Sequence, residues 1–151
     1  MDNQRFLEFD RKFINSMRAC AIPTLRVTLG LVFLWFGALK VFGVSPVADL
    51  ITSTYSFFPP LFVMVLGIWE VAVGFGLIFR FALRSILALL WLQMAGTFAS
   101  LVLNPTLFFH GNIFLLTTEG EFVVKNIVLV AASLVVGGHE VEAKTQPESH
   151  A

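Results

Sequence analysis

The chain of 151 residues is short of cysteine and of charge, and each shortage excludes a class of protein. Its single cysteine, Cys20, excludes an internal disulfide, a paired-cysteine redox motif and a four-cysteine zinc site. Acidic and basic residues make up only 13% of the chain, and ten of each sign leave no net charge. Because a nucleic-acid binder needs a basic surface, we exclude nucleic acid as a partner.

Apolar residues, by contrast, make up 57% of the chain, and the mean hydropathy is +0.84. Soluble proteins contain roughly 45–50% apolar residues, so the lipid bilayer is the expected solvent. Three apolar runs are long enough to cross it. A fourth ends at Gly137 and Gly138, and must begin near Gly120 to reach the roughly 30 Å of hydrocarbon. We expect an all-α membrane protein, a four-transmembrane-helix bundle with spans at 24–43, 60–79, 85–103 and about 120–138.

The basic residues orient these spans. Residues 1–22 hold four basic side chains, the turn after the second span holds two, and the tail 139–151 holds one, whereas the connectors 44–59 and 104–119 hold none. By the positive-inside rule we expect both termini in the cytoplasm. Residues 23–138 between them would form the transmembrane domain. Residues 1–22 would then be a cytoplasmic amino-terminal segment, and 139–151 a disordered cytoplasmic tail.

A secretory signal peptide is the alternative interpretation of the amino terminus, since a basic stretch precedes an apolar one. The small residues Ala19, Cys20 and Ala21 lie before the apolar run, on the wrong side for cleavage. We therefore expect the first span to remain in the mature protein.

The two connectors without basic residues are not ordinary hydrophilic loops. One includes Tyr55, Phe57 and Phe58, and the other includes Phe108 and Phe109 among several apolar side chains. We expect both connectors to lie along the outer interface as short helices or dips.

Each span carries small or polar residues on one helical face. Such residues gain nothing from facing lipid, whereas they let helices approach closely and bond to one another. We therefore expect the four faces to converge on one polar seam. The faces are Arg26, Gly30, Phe33, Gly37 and Lys40 in the first span; Gly67, Glu70 and Gly74 in the second; Gln93, Gly96 and Ser100 in the third; and Glu121, Lys125, Ala132 and Ser133 in the fourth.

The rise of a helix places several of these polar residues at related depths. Glu70 lies about 15 Å from either end of its span, near the midplane, while Lys125 and Glu121 lie about 21 and 27 Å from the cytoplasmic boundary. We predict a buried polar cluster in the outer half of the bundle, with Arg26 apart from it near the cytoplasmic interface. The members of the predicted cluster are Lys40, Glu70, Gln93, Glu121, Lys125 and Asn126.

Glu70 is the most informative of these residues, because an isolated carboxylate at the centre of a bilayer costs about 2.5–3.5 kcal/mol on insertion scales. One interpretation is a structural salt bridge with Lys125, and the other is a proton-accepting or ligand-binding group. Two interpretations also stand for Lys40 and Arg26, as snorkelling anchors or as functional cations. Lys125 is either a helix ion pair with Glu121 or a member of the cluster.

Aromatic and histidine residues complete the set of candidates. Trp35, Trp69 and Trp91 fall inside the spans, where they either pack in the core or stack on an aromatic ring ligand such as a quinone. The three histidines lie outside the spans on opposite sides of the membrane, so we expect no metal site and no haem.

Three segments carry a family resemblance: Arg26-Val-Thr-Leu-Gly-Leu-Val-Phe-Leu-Trp-Phe-Gly-Ala-Leu-Lys40, Gly67-Ile-Trp-Glu70 and Thr118-Glu-Gly-Glu-Phe-Val-Val-Lys125-Asn126. In this order they resemble the DoxX-like superfamily of small four-span bacterial membrane proteins, including its YkgB-type branch. The resemblance covers roughly residues 23–138 and implies a four-helix bundle in the bacterial inner membrane. For some members it also implies a subunit of quinone-linked sulfur oxidoreductases or of membrane redox complexes. The chain lacks the paired cysteines of more distant relatives that have thiol-exchange roles.

Three hypotheses about function follow. In the first, the chain is an accessory or quinone- or small-molecule-binding subunit of a membrane redox system. Glu70 and Lys125 would handle protons, Lys40 would bond a carbonyl, Trp35 or Trp69 would stack on the ring, and a partner subunit would supply electrons. In the second, it is a small proton or solute transporter or channel, in one version a homo-oligomer. In the third, the polar seam only holds a membrane scaffold together. The residues do not decide whether the chain is an enzyme.

Overall fold

A computed structural model describes residues 2–55, 57–59 and 61–141, and those residues form six helices and no β-strand. Four helices are long and apolar enough to cross a membrane, which confirms the expected all-α four-helix architecture. The other two are short and lie in the two connectors, as expected. In chain order the helices are α1 (Asp2–Val41), α2 (Ala48–Thr54), α3 (Leu61–Phe79), α4 (Leu83–Leu103), α5 (Pro105–Phe108) and α6 (Thr118–Glu140).

The ends of α6 depend on local contacts. The helix begins at Thr118, because the hydroxyl of Thr117 accepts a hydrogen bond from the Gly120 amide at 3.1 Å. The prediction that Gly137 and Gly138 end this helix is wrong, since neither glycine adopts the positive φ of a helix terminator and α6 continues to Glu140. Of the tail predicted at 139–151, residues 142–151 lie outside the described residues.

The first helix is much longer than the predicted span 24–43. With 40 residues, α1 extends about 60 Å, twice the thickness of the hydrocarbon. It includes Pro23 in its interior, and residues 2–22, which we assigned only to an amino-terminal segment, are helical as well.

Glycines bring α1 and α3 into backbone contact. A Cβ atom added to Gly37 would lie 2.7 Å from the carbonyl oxygen of Gly67, and one added to Gly74 would lie 2.7 Å from that of Gly30. The two helices run antiparallel, so Gly37 meets Gly67 near one end of the pair and Gly30 meets Gly74 near the other. Any larger residue at these positions would force the helices apart. The glycine faces predicted for the first two spans therefore do meet.

The apolar core lies in the half of the bundle that contains Arg26, whereas many large apolar side chains elsewhere point outward. Leu31, Leu92 and Val128, for example, are exposed on the outer surface of the bundle. This arrangement suits helices that are surrounded by lipid rather than by water. The buried core residues are Leu29, Phe33, Val73, Leu77, Ile86, Leu87, Leu90 and Met94.

The second connector folds back on itself between α4 and α6. After the single turn of α5, Phe109 and Leu116 form an isolated antiparallel bridge. Phe108 is fully buried, and its carbonyl oxygen lies so close to Gly120 that a Cβ there would collide with it. This contact fixes where α6 starts.

Candidate functional site

A buried ion pair joins α1 to α3. Lys40 Nζ lies 2.6 Å from Glu70 Oε2, and the two side chains are only 7% and 9% exposed. The second carboxylate oxygen, Oε1, accepts a hydrogen bond from the side-chain amide of Gln93 on α4. Three helices therefore meet at one carboxylate, and both of its oxygens have partners.

The glycine contact explains why the two charges meet. Lys40 lies in the last turn of α1, one turn after Gly37, and Glu70 lies one turn after Gly67 on α3. A Cβ added to Gly67 would lie 2.8 Å from the Cβ of Lys40, and one added to Gly37 would lie 2.8 Å from that of Glu70. Each glycine thus leaves room for the charged side chain of the opposite helix.

A cavity of about 580 Å³ opens beside this ion pair. Lys40, Glu70 and Gln93 meet on its wall, and most of the wall is apolar. Its volume falls within the roughly 300–1,000 Å³ that is usual for small-molecule sites. The aromatic residues on the wall are Phe36, Tyr55, Phe58, Phe62, Trp69 and Phe122.

The wall also offers polar atoms without a protein partner. Among the described residues, Gln93 Oε1 and Thr54 Oγ1 are buried and make no hydrogen bond. Leaving such a group unsatisfied costs about 1–3 kcal/mol, so buried polar atoms are usually bonded to protein, water or ligand. Lys40 Nζ carries three hydrogens, of which Glu70 takes one. The site can therefore both donate hydrogen bonds to a ligand and accept them from it.

The first connector covers the cavity. Leu50, Ile51 and Thr54 of α2 line it, although α2 has no fully buried residue of its own. Just after α2, the Tyr55 hydroxyl donates a hydrogen bond of 2.6 Å to the carbonyl oxygen of Gly96 on α4. Burial raises the pKa of Tyr55 above its usual 10.0, so this hydroxyl keeps its proton at neutral pH. This hydrogen bond ties the cover to α4, while the ring of Tyr55 also contacts Phe62 of α3.

Two residues of the predicted cluster lie elsewhere. Glu121 and Lys125 pair with each other at 3.2 Å on the outer surface of α6, with 58% and 75% of their side chains exposed. Of the two interpretations of Glu70, the salt bridge with Lys125 is therefore wrong, because Glu70 pairs with Lys40 instead. The face of α6 that turns inward carries Gly120 and Val123, and the outward face carries the charged pair.

The remaining candidates divide between the cavity and other positions. Asn126 and Trp69 line the cavity, as predicted for a cluster member and for a ring that could stack. Trp35 is 69% exposed and points away from the cavity. Trp91 bonds to Ser133 Oγ at 2.8 Å and so links α4 to α6.

Several cavity residues are missing from the sequence prediction. Thr54 and Tyr55 lie in a connector that we expected only at the membrane interface, and Phe36 and Phe122 carry no charge or small-residue signal. The aromatic richness of the first connector was the available signal. Its folding over the bundle is a long-range contact that helical spacing does not reveal.

Arg26 lies apart from the cavity, near the opposite end of the bundle, as predicted. Its guanidinium donates to the carbonyl oxygens of Leu77 and Ile78 in the last turn of α3, the latter at 2.8 Å. Its Nε lies 3.1 Å from Glu140 Oε1, and Arg80 Nε lies 2.9 Å from Glu140 Oε2. Arg26 thus caps α3 and ties it to α6, which is more than the role of an anchor.

Comparison with protein-family models, with curated proteins and with solved structures finds no match to this chain. The site itself is an apolar cavity whose wall carries the Lys40–Glu70 ion pair and the unbonded oxygens of Gln93 and Thr54.

Proposed function

We propose that this multi-pass membrane protein binds a small, mostly apolar molecule with polar ring substituents, such as a quinone. The observation that carries the proposal is the cavity of about 580 Å³, whose wall is mostly apolar and brings Lys40, Glu70 and Gln93 together at one place. An apolar pocket with a few convergent polar groups is the usual design of a small-molecule site.

The free hydrogen-bonding atoms fit such a ring. Lys40 would donate to a ring carbonyl, while Gln93 Oε1 and Thr54 Oγ1 would accept from a ring hydroxyl. Trp69 and Phe62 would pack against the ring itself. When bound, a quinone would supply the redox chemistry, with electrons delivered by a partner subunit.

The proposed setting is the bacterial inner membrane, with both termini in the cytoplasm. The absence of basic residues from both connectors supports this orientation. The DoxX-like motifs support a place as an accessory subunit of a membrane redox system. The cavity would then lie in the outer half of the bilayer.

Quinone titration of the full-length protein in lipid nanodiscs tests this proposal, with tryptophan fluorescence as the readout because Trp69 lies on the cavity wall. The double variant Lys40→Met/Glu70→Leu replaces the ion pair by apolar side chains, a change that often leaves stability intact. We expect its affinity for a short-chain quinone to fall at least about tenfold, the loss expected from one or two hydrogen bonds to a charged group.

The matched control is Lys125→Met/Glu121→Leu, which makes the same substitutions in the exposed pair and should leave affinity unchanged. Equal affinity of the cavity variant and the wild type would contradict the proposal. A wild type without saturable quinone binding would do the same and would favour the scaffold hypothesis.

Transport is the less favoured hypothesis. In the described part of the chain, the buried charges lie at two levels, at Lys40 and Glu70 and at Arg26 and Glu140. Between these levels, apolar side chains such as Leu29, Phe33 and Leu77 fill the bundle, and the buried hydroxyl of Ser133 is bonded to Trp91. We expect proteoliposomes to take up protons no faster than empty liposomes, and a flux that Glu70→Gln abolishes would overturn this expectation.

A further inference from the structure

The amino-terminal part of α1 extends beyond the helical bundle. Arg26 bonds to the last turn of α3, and α4 begins at Leu83 on the same side, so this level marks the end of the bundle. At 1.5 Å per residue, Phe6 lies about 30 Å farther along the helix axis than Arg26. In the part of the chain that the structure describes, no helix packs against residues 5–20.

This overhanging segment is amphipathic. Phe6, Phe9, Phe13 and Met17 are spaced by three or four residues and are all exposed. They share one arc of the helix, on which Asp10 is the one charged residue. The opposite arc carries Glu8, Arg11 and Arg18, and Arg5 and Lys12 lie between the two arcs. Residues 5–22 have a net charge of +2, from four basic and two acidic side chains.

We propose that this segment lies flat on a membrane surface that carries anionic lipid headgroups. Standing upright, it would hold three phenylalanine rings in water, whereas burying each apolar side chain yields about 1.5–3 kcal/mol. Its aromatic face and basic face are the pattern of interfacial helices, and its charge is complementary to acidic headgroups. A parallel second copy would bring like charges together, which makes it the poorer occupant.

Pro23 supplies the bend that this placement requires. Proline has no amide hydrogen, so the carbonyl oxygen of Ala19 lacks its helical partner, and the proline ring crowds the same carbonyl. Helices bend at such positions. Pro23 lies one turn before Arg26, at the end of the bundle, where a bend would lay residues 5–20 on the surface of the same membrane that α1 crosses.

Spin labels on the full chain in nanodiscs test this placement. In a Cys20→Ser background, a label is attached in the variant Phe9→Cys, on the apolar arc, or in Arg11→Cys, on the opposite arc. With anionic lipid present, we expect the first label to collide mainly with dissolved oxygen, which concentrates in lipid, and the second with a water-soluble nickel complex. Two labels that are both open to nickel would mean an upright helix in water. Two labels shielded from both reagents would mean a protein partner or a second copy, and either result overturns the proposal.

A charge series separates the electrostatic contribution from the apolar one. Each basic residue near an anionic surface changes the partition constant about fivefold, so Arg11→Gln/Arg18→Gln should lower the ratio of immersed to exposed label at position 9 by more than about tenfold. Arg11→Lys/Arg18→Lys keeps the charge and should behave as the wild type does. Immersion that is equal in anionic and zwitterionic nanodiscs would refute the role of headgroup charge. None of these readouts depends on quinone binding.

Discussion

Glu70 is the residue on which both the packing and the site depend. Its carboxylate is bonded by Lys40 and Gln93, and all three side chains come from different helices. Removing one member of a buried ion pair is costly because the other charge is left without compensation, whereas replacing both members is often neutral. Single and double substitutions of Lys40 and Glu70 should therefore change the free energy of unfolding by different amounts.

We expect Glu70→Gln to lower the free energy of unfolding by about 3–5 kcal/mol, since the ammonium of Lys40 would remain buried without a counter-charge. Denaturation of the purified protein in mixed micelles measures the change. Glu121→Gln is the matched control at an exposed carboxylate, where the effect should stay below about 0.5 kcal/mol. Equal effects of the two variants would show that the buried pair is not a stabilising contact.

Gly67 gives a second prediction at this scale. Gly67→Ala places a methyl group 2.8 Å from the Gly37 carbonyl oxygen, so α1 and α3 must separate and the bond between Lys40 and Glu70 must lengthen. We expect a loss of about 1–3 kcal/mol in the free energy of unfolding, as for other overpacked sites. Gly138→Ala, where nothing lies within 4 Å, should instead stabilise α6 by up to about 1 kcal/mol. The same denaturation experiment compares the two variants, and a Gly67→Ala protein as stable as the wild type would contradict the close approach.

Among the elements, α2 combines a functional position with weak attachment. It lines the cavity yet buries no residue fully, and the hydroxyl of Tyr55 holds it to α4. Elements with few buried contacts open most readily. The cover is thus the part of the molecule through which a ligand would most easily pass.

We expect Tyr55→Phe to speed amide hydrogen exchange in α2, because it removes one hydrogen bond worth about 0.5–1.5 kcal/mol. Exchange in α3 and α6 should not change. Thr52→Ala is the control, since the Thr52 hydroxyl bonds only within α2. Unchanged exchange in the Tyr55 variant would mean that packing alone holds the cover.

The helices were easier to predict from the sequence than the contacts between them. Hydropathy predicted four spans, and the glycine faces predicted which sides of the first two meet. The face predicted for α6 grouped Glu121 and Lys125 with Ser133, but Ser133 is buried whereas the charged pair points outward. The polar character of a residue does not by itself show which face of a helix turns inward. Tyr55 could not be assigned, because its contact with Gly96 spans 41 positions of the chain.

For the molecule as a whole, Glu140 joins parts that are distant in sequence. It pairs with Arg26 and Arg80 and so connects the end of α6 to α1 and to the end of α3. We expect Glu140→Ala to fray the last turn of α6 from Gly137 onward, seen as faster amide exchange there. Exchange near Lys40 should stay unchanged, and fraying that reached that end would contradict the separation of the two polar clusters.

Lys40 and Arg26 both bind α1 to α3, and fourteen residues, or about 21 Å, separate them. With backbone contacts between these two points, α1 and α3 cannot slide past each other without breaking a bond at either end. The cavity can consequently expand on only three of its sides, at α2, α4 and α6. A ligand larger than about 580 Å³ would have to displace α2, α4 or α6, because α1 and α3 stay in place. The upper limit on ligand size therefore depends on how far those three helices can move.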